Sequence, residues 1–428
     1  MLQTIRNAWK VEEIRKKIVF TLFVLLLYRL GNAVPVPFIN TSELALYFTS
    51  MSNTILGLYN VMSGSAFSQA TIFALSIQPY INASIIIQLL CVAIPALERL
   101  SKEGGEEGKK KIASITRYST VGIALLQGFA YYMLMKNRNI LAEGGEGFWP
   151  ALVIIMSFVA GSALIMWMAE QITEFGIGNG ISIILFASIV SRGPNALMSM
   201  ISAIQENPSK WWVFVLLLIG ALAMIVLIVV VTNSERRIPV QYAKRVVGRK
   251  VYGGQSTHLP IQVNMSGVLP IIFAQSIASV PATICAFIPK WQDSWVMRNF
   301  DSNTVPYCII YFLLIVFFSY FYSTIQFNPI EVANNLKKNG GYIPGFRPGK
   351  PTSEFISRVL NKITLFGAMY LAIVAIVPLI VGMCSPTAAN WSFSIGGTSI
   401  IIVVGVALET VKALESQLLM RHYKGFLE

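Results

Sequence analysis

The chain has 428 residues, of which 55% are hydrophobic and only 12% are charged. Soluble domains carry about 25% charged residues, so too little polar surface exists here to clothe a water-soluble fold of this length, and a membrane-embedded class follows. A formal charge of +13 admits either a nucleic-acid binder or a membrane protein with basic loops on one side.

The N-terminal stretch 1–17 is basic and amphipathic, and it precedes the first long apolar run. No small-residue cleavage site follows that run, so it reads as a retained span rather than a signal peptide. Continuing along the chain, apolar runs of the length that crosses about 30 Å of hydrocarbon lie near 18–36, 75–96, 118–136, 149–169, 181–199, 211–232, 267–288, 305–326, 363–383 and 394–411. Ten spans put both termini on one side. Assigned to loops, 26 of the 33 Lys and Arg fall on the side of the termini and six on the other, with Arg29 inside the first span. By the positive-inside rule the termini are cytoplasmic. The fold class is therefore all-α and polytopic. Its expected divisions are the cytoplasmic N-terminus 1–17, a first five-helix half at 18–199, a second half at 200–411 and a cytoplasmic tail at 412–428. Five spans per half permit an inverted repeat, although the halves share no convincing residue-level similarity.

Two kinds of connection stand out. Residues 37–74 form a long external segment, which takes in most of the motif at 59–81; it is too polar and too rich in small residues at 62–70 to cross the bilayer, yet too apolar for water. Irregular backbone at membrane depth survives only where protein or a wet cavity surrounds it, so a re-entrant segment is expected. The loops 233–266 and 327–362 are long, basic and rich in Gly and Pro, and read as solvated tethers or docking surfaces.

The chemistry that is missing narrows the function. Cys91, Cys285, Cys308 and Cys384 are scattered and mostly sit in apolar runs, and only His258 and His422 accompany them, so no metal set is expected. There is no HExxH helix, Walker loop or GxSxG elbow. The run 176–182, GIGNGIS, opens an apolar span and follows no strand, which favours a tight turn over phosphate binding. Arg29 is the clearest ionisable group at mid-membrane, and a structural ion pair or a snorkelling side chain explains it best. Glu170, Glu174 and Glu409 lie near span ends, where they reach water. Neither an enzyme nor a proton relay is indicated, no cofactor is expected, and energy for directed transport must come from a partner. A secondary transporter is the alternative reading, short of the mid-membrane ionisable groups it would need, and a membrane enzyme ranks third.

Six motifs carry a family resemblance: PVPFI at 35–39, MSGSAFSQATIFALSIQPYINASIIIQLL at 62–90, AEQITEFGIGNGISI at 169–183, STHLPIQVNMSGVLPIIFA at 256–274, NPIEVANNLKKNGGYIPGFRPGK at 328–350 and GGTSIIIVVGV at 396–406. In this order and spacing the sequence resembles the SecY family of protein-translocation channel subunits. The resemblance implies an hourglass channel of two inverted five-helix halves, through which secretory chains cross unfolded and from which membrane spans leave sideways into lipid. It maps an apolar pore ring onto Ile77, Ile81, Ile181, Leu185, Ile272 and Ile402. Such a ring disfavours wetting and so excludes hydrated ions. Read from the residues alone, each of these would be an ordinary packing position.

The resemblance also implies a plug at about 59–71, including Asn60, Ser63, Gly64, Ser65, Ala66 and Phe67. A lateral gate would lie between span two, with Gln78, Asn82 and Gln88, and span seven, with Gln262, Asn264 and Gln275. Docking positions would be Arg236, Arg237, Lys244, Arg245, Arg249, Lys250 and Arg347. The partners implied are SecE-like and SecG-like small membrane subunits, a SecA-type ATPase motor, the ribosome with its rRNA, signal peptides and nascent chains, and membrane lipid.

Overall fold

The computed structural model describes the chain apart from residues 1, 51–54, 103, 207–210, 243–244, 248–249, 253–255, 266, 288–303, 385–396 and 425–428. Two short elements open it, α1 (Leu2–Lys10) and α2 (Glu12–Gly31), then α3 (Thr41–Ser50) and α4 (Ile55–Met62). After a turn-rich stretch come α5 (Gln78–Ala93), α6 (Pro95–Lys102), α7 (Gly105–Asn137), α8 (Phe148–Phe175), α9 (Gly180–Ser191), α10 (Gly193–Glu206) and α11 (Trp211–Asn233). Strands β1 (Glu235–Tyr242), β2 (Arg245–Val247), β3 (Lys250–Tyr252) and β4 (Ser256–Gln262) follow. The remainder is α12 (Leu269–Phe287), α13 (Val305–Gln326), α14 (Pro329–Lys338), β5 (Gly341–Tyr342), α15 (Lys350–Cys384) and α16 (Gly397–Lys424).

All ten expected spans fall on helices, but their bounds move. By length and composition alone, three helical runs among the described residues are able to cross a membrane: Phe148–Phe175, Val305–Lys338 and Lys350–Val381. The pair α5 and α6 makes a fourth if it is one span, bent by 105° where Pro95 ends the first helix. Other helices extend past the expected span into charged sequence. Helix α2 starts at Glu12, whose carboxylate meets Lys16 one turn on at 3.0 Å, and α7 starts at Gly105. The expected fifth span breaks at Arg192, between α9 and α10. The expected tail is helical as far as Lys424.

Helix pairing recurs in the two parts of the chain. In the first, α5 packs on α7, α7 on α8 and α8 on α9; in the second, α12 packs on α13, α13 on α15 and α15 on α16. The two series meet along two seams, α9 against α16 and α12 against α5 and α7. A single large core runs between them, built from residues such as Tyr28, Ile165, Ile184, Ile271, Ile315 and Val374.

The loop expected at 233–266 is not a tether. Strand β1 lies between β4 and β5, antiparallel to both, with Ile238 opposite Leu259 and Val240 opposite Thr257. Ile238 and Val240 are buried while Arg237, Pro239 and Gln241 are exposed, the period of two that a half-buried strand requires. The buried face joins Ile261, Leu336, Ile343, Ile356 and Leu360 in a separate small core beneath α14 and the start of α15. Alternation over so few residues is easily lost among basic and Pro-containing sequence, which is why this stretch reads as a loop.

Candidate functional site

The turn-rich stretch between α4 and α5 is the least regular buried backbone among the described residues. Ser65, Ala70 and Ser76 all adopt positive φ (73°, 43° and 52°), as does Gly64 (67°). Most of its backbone is nevertheless hydrogen-bonded, although the buried Ser76 Oγ has no partner among the described residues. Val36 N donates to Ala70 O and Ile72 N to Val34 O, both at 3.0 Å, so PVPFI forms one side of a short bridge that pins the segment. Within it, Asn60 Oδ1 accepts from Ser68 N at 3.0 Å and Ser63 Oγ accepts from Phe67 N at 3.1 Å. Phe67 stacks on Tyr131 with ring centroids 4.3 Å apart and meets Phe48 edge-on, and the Tyr131 hydroxyl donates to Phe67 O. Ala66 is buried and Ser65 half-buried. A methyl group added at Gly64 would lie 3.1 Å from Ser188 O on α9. The expected plug residues thus form one compact unit wedged among α3, α7 and α9.

The six expected ring positions come from four separate stretches and meet in one apolar cluster. Ile77 caps the N-terminus of α5 and Ile81 is one turn in, Leu185 lies on α9, Ile272 on α12 and Ile402 on α16. All five are nearly inaccessible, at 4% or less, and Ile181 packs against them half-buried. Met62, at the end of α4, belongs to the same cluster. The glycine-rich run before α9 makes this convergence possible. Gly178 takes φ +69°, Asn179 caps the helix by accepting from Ile181 N at 3.0 Å, and Gly180 N donates to Thr173 Oγ1 at 2.9 Å. It is a capped turn, as its sequence suggests.

Of the expected gate amides, Gln78 and Gln275 converge, on a partner not anticipated. Gln78 Nε2 on α5 lies 2.9 Å from the Met62 sulfur, and Gln275 Nε2 on α12 lies 3.9 Å from it. Asn82, half-buried, follows Gln78 by one turn. Gln88 is held from the other half of the chain, its Oε1 accepting from Tyr322 Oη on α13 at 2.6 Å. Gln262 and Asn264 lie before α12: Gln262 is the exposed end of β4, and Asn264 is buried in the turn with Oδ1 unpartnered among the described residues. Met62 and Tyr322 carry no sequence signal of their own. Only the packing of α4 against α12, and of α13 beside α5, selects them.

Arg236 and Arg237 are both exposed near the start of β1 and, as neighbours in a strand, point to opposite faces; Arg237 Nε meets Glu235 Oε1 at 2.6 Å. Arg245 and Lys250 sit in the β2–β3 hairpin, whereas Lys244 and Arg249 lie outside the described residues. Arg347 is exposed at the tip of a rigid turn. Gly345 and Gly349 flank it with φ of +86° and +103°, Phe346 stacks on Phe355 at 4.2 Å, and Thr352 Oγ1 donates to Arg347 O at 2.8 Å. Buried Ile343 ties this turn to the small core under β1.

Comparison with known proteins agrees on one family. The family model described as SecY matches residues 71–411. The protein translocase subunit SecY of Streptomyces scabiei is 44% identical over 441 aligned positions, covering 100% of both chains. Among solved structures, one described as a protein-conducting channel superposes with a TM-score of 0.66 at 18% identity, over 94% of this chain and 92% of the other. Sec61 from the canine ribosome-channel complex gives 0.61 at 15%, with the same coverages. Identity of this order along the whole length, on a fold of the same shape, means that the chain belongs to the SecY family and is a multi-pass membrane subunit of a protein translocase, a channel for polypeptides and not an enzyme.

Proposed function

We propose that this chain passes unfolded secretory polypeptides between its two five-helix halves and releases transmembrane segments sideways into lipid. Its resting seal is double. The ring of Ile77, Ile81, Ile181, Leu185, Ile272 and Ile402 closes the neck, and the segment 59–71 lies against it through Met62. The observation that carries this reading is the convergence of six apolar residues from four separated stretches on one buried cluster at the seam between the halves. Apolar walls offer a translocating chain no strong hydrogen bond, while an ion entering the same neck would have to shed its water.

Opening would part α5 from α12. The bonds lost are few: two amides on one thioether, and Tyr322 on Gln88. Polar bonds between membrane helices are worth about 0.6–1.7 kcal/mol each, so a signal segment of ordinary hydrophobicity suffices to compensate them.

Energy is supplied from the side bearing the β-sheet, which we place in the cytoplasm together with both termini. A SecA-type motor and the ribosome would dock in turn on Arg347, on the exposed arginines at the start of β1 and on the β2–β3 hairpin. Support comes from the rigid mounting of Arg347 and from the ribosome-bound state of the canine Sec61 complex that shares this fold. SecE-like and SecG-like subunits complete the assembly, and the plasma membrane is its location.

The test is photo-crosslinking from a probe at Ile272 to a secretory chain stalled in proteoliposomes containing the partner subunits and motor. A crosslink that requires the stalled chain, and is absent from a probe at exposed Leu313, is expected. Ongoing translocation without such a crosslink would move the path elsewhere and leave the ring as helix packing.

A further inference from the structure

On the side away from the β-sheet, a cavity of about 430 Å³ opens between the end of α2, the turn segment after α4 and the α9–α10 junction. Two cationic side chains line it, Arg29 and Arg192, and no acidic one does among the described residues. Arg29 Nη1 donates to Ser191 Oγ at 3.2 Å, while Arg192 Nη1 is buried without a partner among the described residues. Asn32, also lining the cavity, is only 5% exposed, and neither its Nδ2 nor its Oδ1 has a partner among them. A buried guanidinium nitrogen and a buried amide left unmet are costly, and together they form a donor set suited to an anion with several acceptor oxygens.

The cavity is continuous with an apolar strip. Leu26 and Leu30 line it and belong to a face of α2 that also carries Val19, Leu22 and Phe23, all between 51% and 58% exposed. These positions recur at helical spacing, so the strip runs along the helix toward mid-membrane. A soluble anion has no use for it, whereas an acyl chain does.

We infer that this cavity binds the phosphate of an anionic phospholipid from the leaflet opposite the β-sheet, with Arg29 and Arg192 on its oxygens, Asn32 as a further donor, and an acyl chain along the Leu22–Leu30 face. A snorkelling Arg29 explains its own position but not a second arginine and a buried, unmet amide facing the same space. The site also touches Gly64 and Ser65, so a bound headgroup would fasten the turn segment to α2. The assignment of the cavity does not depend on that segment being a plug.

The experiment is native mass spectrometry of the full chain with its partner subunits, titrated with phosphatidylglycerol, with phosphatidylcholine, and with inorganic phosphate alone. One phosphatidylglycerol retained selectively per chain is expected, with at least tenfold weaker retention in Arg29→Gln and Arg192→Gln. Arg29→Lys should keep most of it, and Lys136→Gln, on the same side but outside the cavity, should keep all of it. Asn32→Asp provides a variant that does not remove a cation. Its carboxylate would take the arginines for itself, lowering lipid retention while raising the thermal midpoint. Equal retention by wild type and the Arg29 and Arg192 variants would overturn the proposal and leave the cavity to a carboxylate of a partner subunit. Tight binding of inorganic phosphate without phosphatidylglycerol selectivity would overturn the lipid assignment in favour of a free anion.

Discussion

Gly161 on α8 accepts nothing larger than hydrogen, because a methyl group built there would sit 1.9 Å from Ile72 O in the buried turn segment. Gly161→Val should therefore push α8 off that segment at a cost of at least about 1–3 kcal/mol. The checking measurement is the thermal unfolding midpoint in detergent, which should fall by several degrees; an unchanged midpoint would mean that the two elements separate without penalty. At this scale the sequence is a poor guide. Ile77, Ile272 and Ile402 are singled out as proposed pore positions only by the family motifs, since isoleucine in a membrane helix is commonplace. Met62 is not legible at all. Its thioether becomes the shared acceptor of Gln78 and Gln275 only because α4 ends where α5 and α12 approach.

Elements carry the next level of meaning. The segment around 60–68 is held by a small set of internal bonds and by the Phe67–Tyr131 stack, and it contributes no turn to any spanning helix. Deleting residues 60–68 should leave the helices in place and raise resting ion conductance in planar bilayers several-fold. Conductance equal to that of the intact channel would make the segment a static filler. The Arg347 turn is the opposite case, a short element held in one shape for the docking role proposed for it. Glycines at positive φ bracket the arginine, and the Phe346–Phe355 stack fixes its base. Arg347→Glu should abolish motor-driven translocation into vesicles while leaving the unfolding free energy within about 0.5 kcal/mol of wild type, the usual range for a surface substitution. Retained translocation would refute the docking assignment. The sequence marks both elements by composition, small residues in one and Gly and Pro in the other. It does not disclose the three-stranded sheet that supports the second, because that sheet's alternation covers only Ile238 to Gln241 before the strand ends.

For the whole molecule, the distribution of basic residues makes one strong claim, that the termini and the β-sheet share a side. The fold agrees as far as geometry goes. Ala8, Ile14, Ile177 and Leu414 form one small cluster, and Lys412 Nζ donates to Thr232 O at 3.4 Å beside the start of β1. Which compartment that side faces is open to a direct test. Single cysteines at Lys16 and Lys136, in a background lacking Cys91, Cys285, Cys308 and Cys384, should react with a membrane-impermeant maleimide from opposite sides of inside-out vesicles. Lys16 is expected to be reached without permeabilisation and Lys136 only after it; the reverse pattern would invert the proposed orientation.

By itself, the sequence determined that the chain is a multi-pass helical membrane protein, roughly where its apolar helices lie, and that one segment among them is irregular. These follow from hydrophobic run length and charge asymmetry, which are local or additive properties that a linear reading captures. The tertiary structure decided which apolar residues face one another at the seam, which acceptor Gln78 and Gln275 share, and which loop is a β-sheet. It also brought two arginines and an asparagine, separated by as many as 163 positions, to one cavity. Convergence of that kind depends on helix rotation and crossing, set by close packing across the whole core, and no window along the chain contains it.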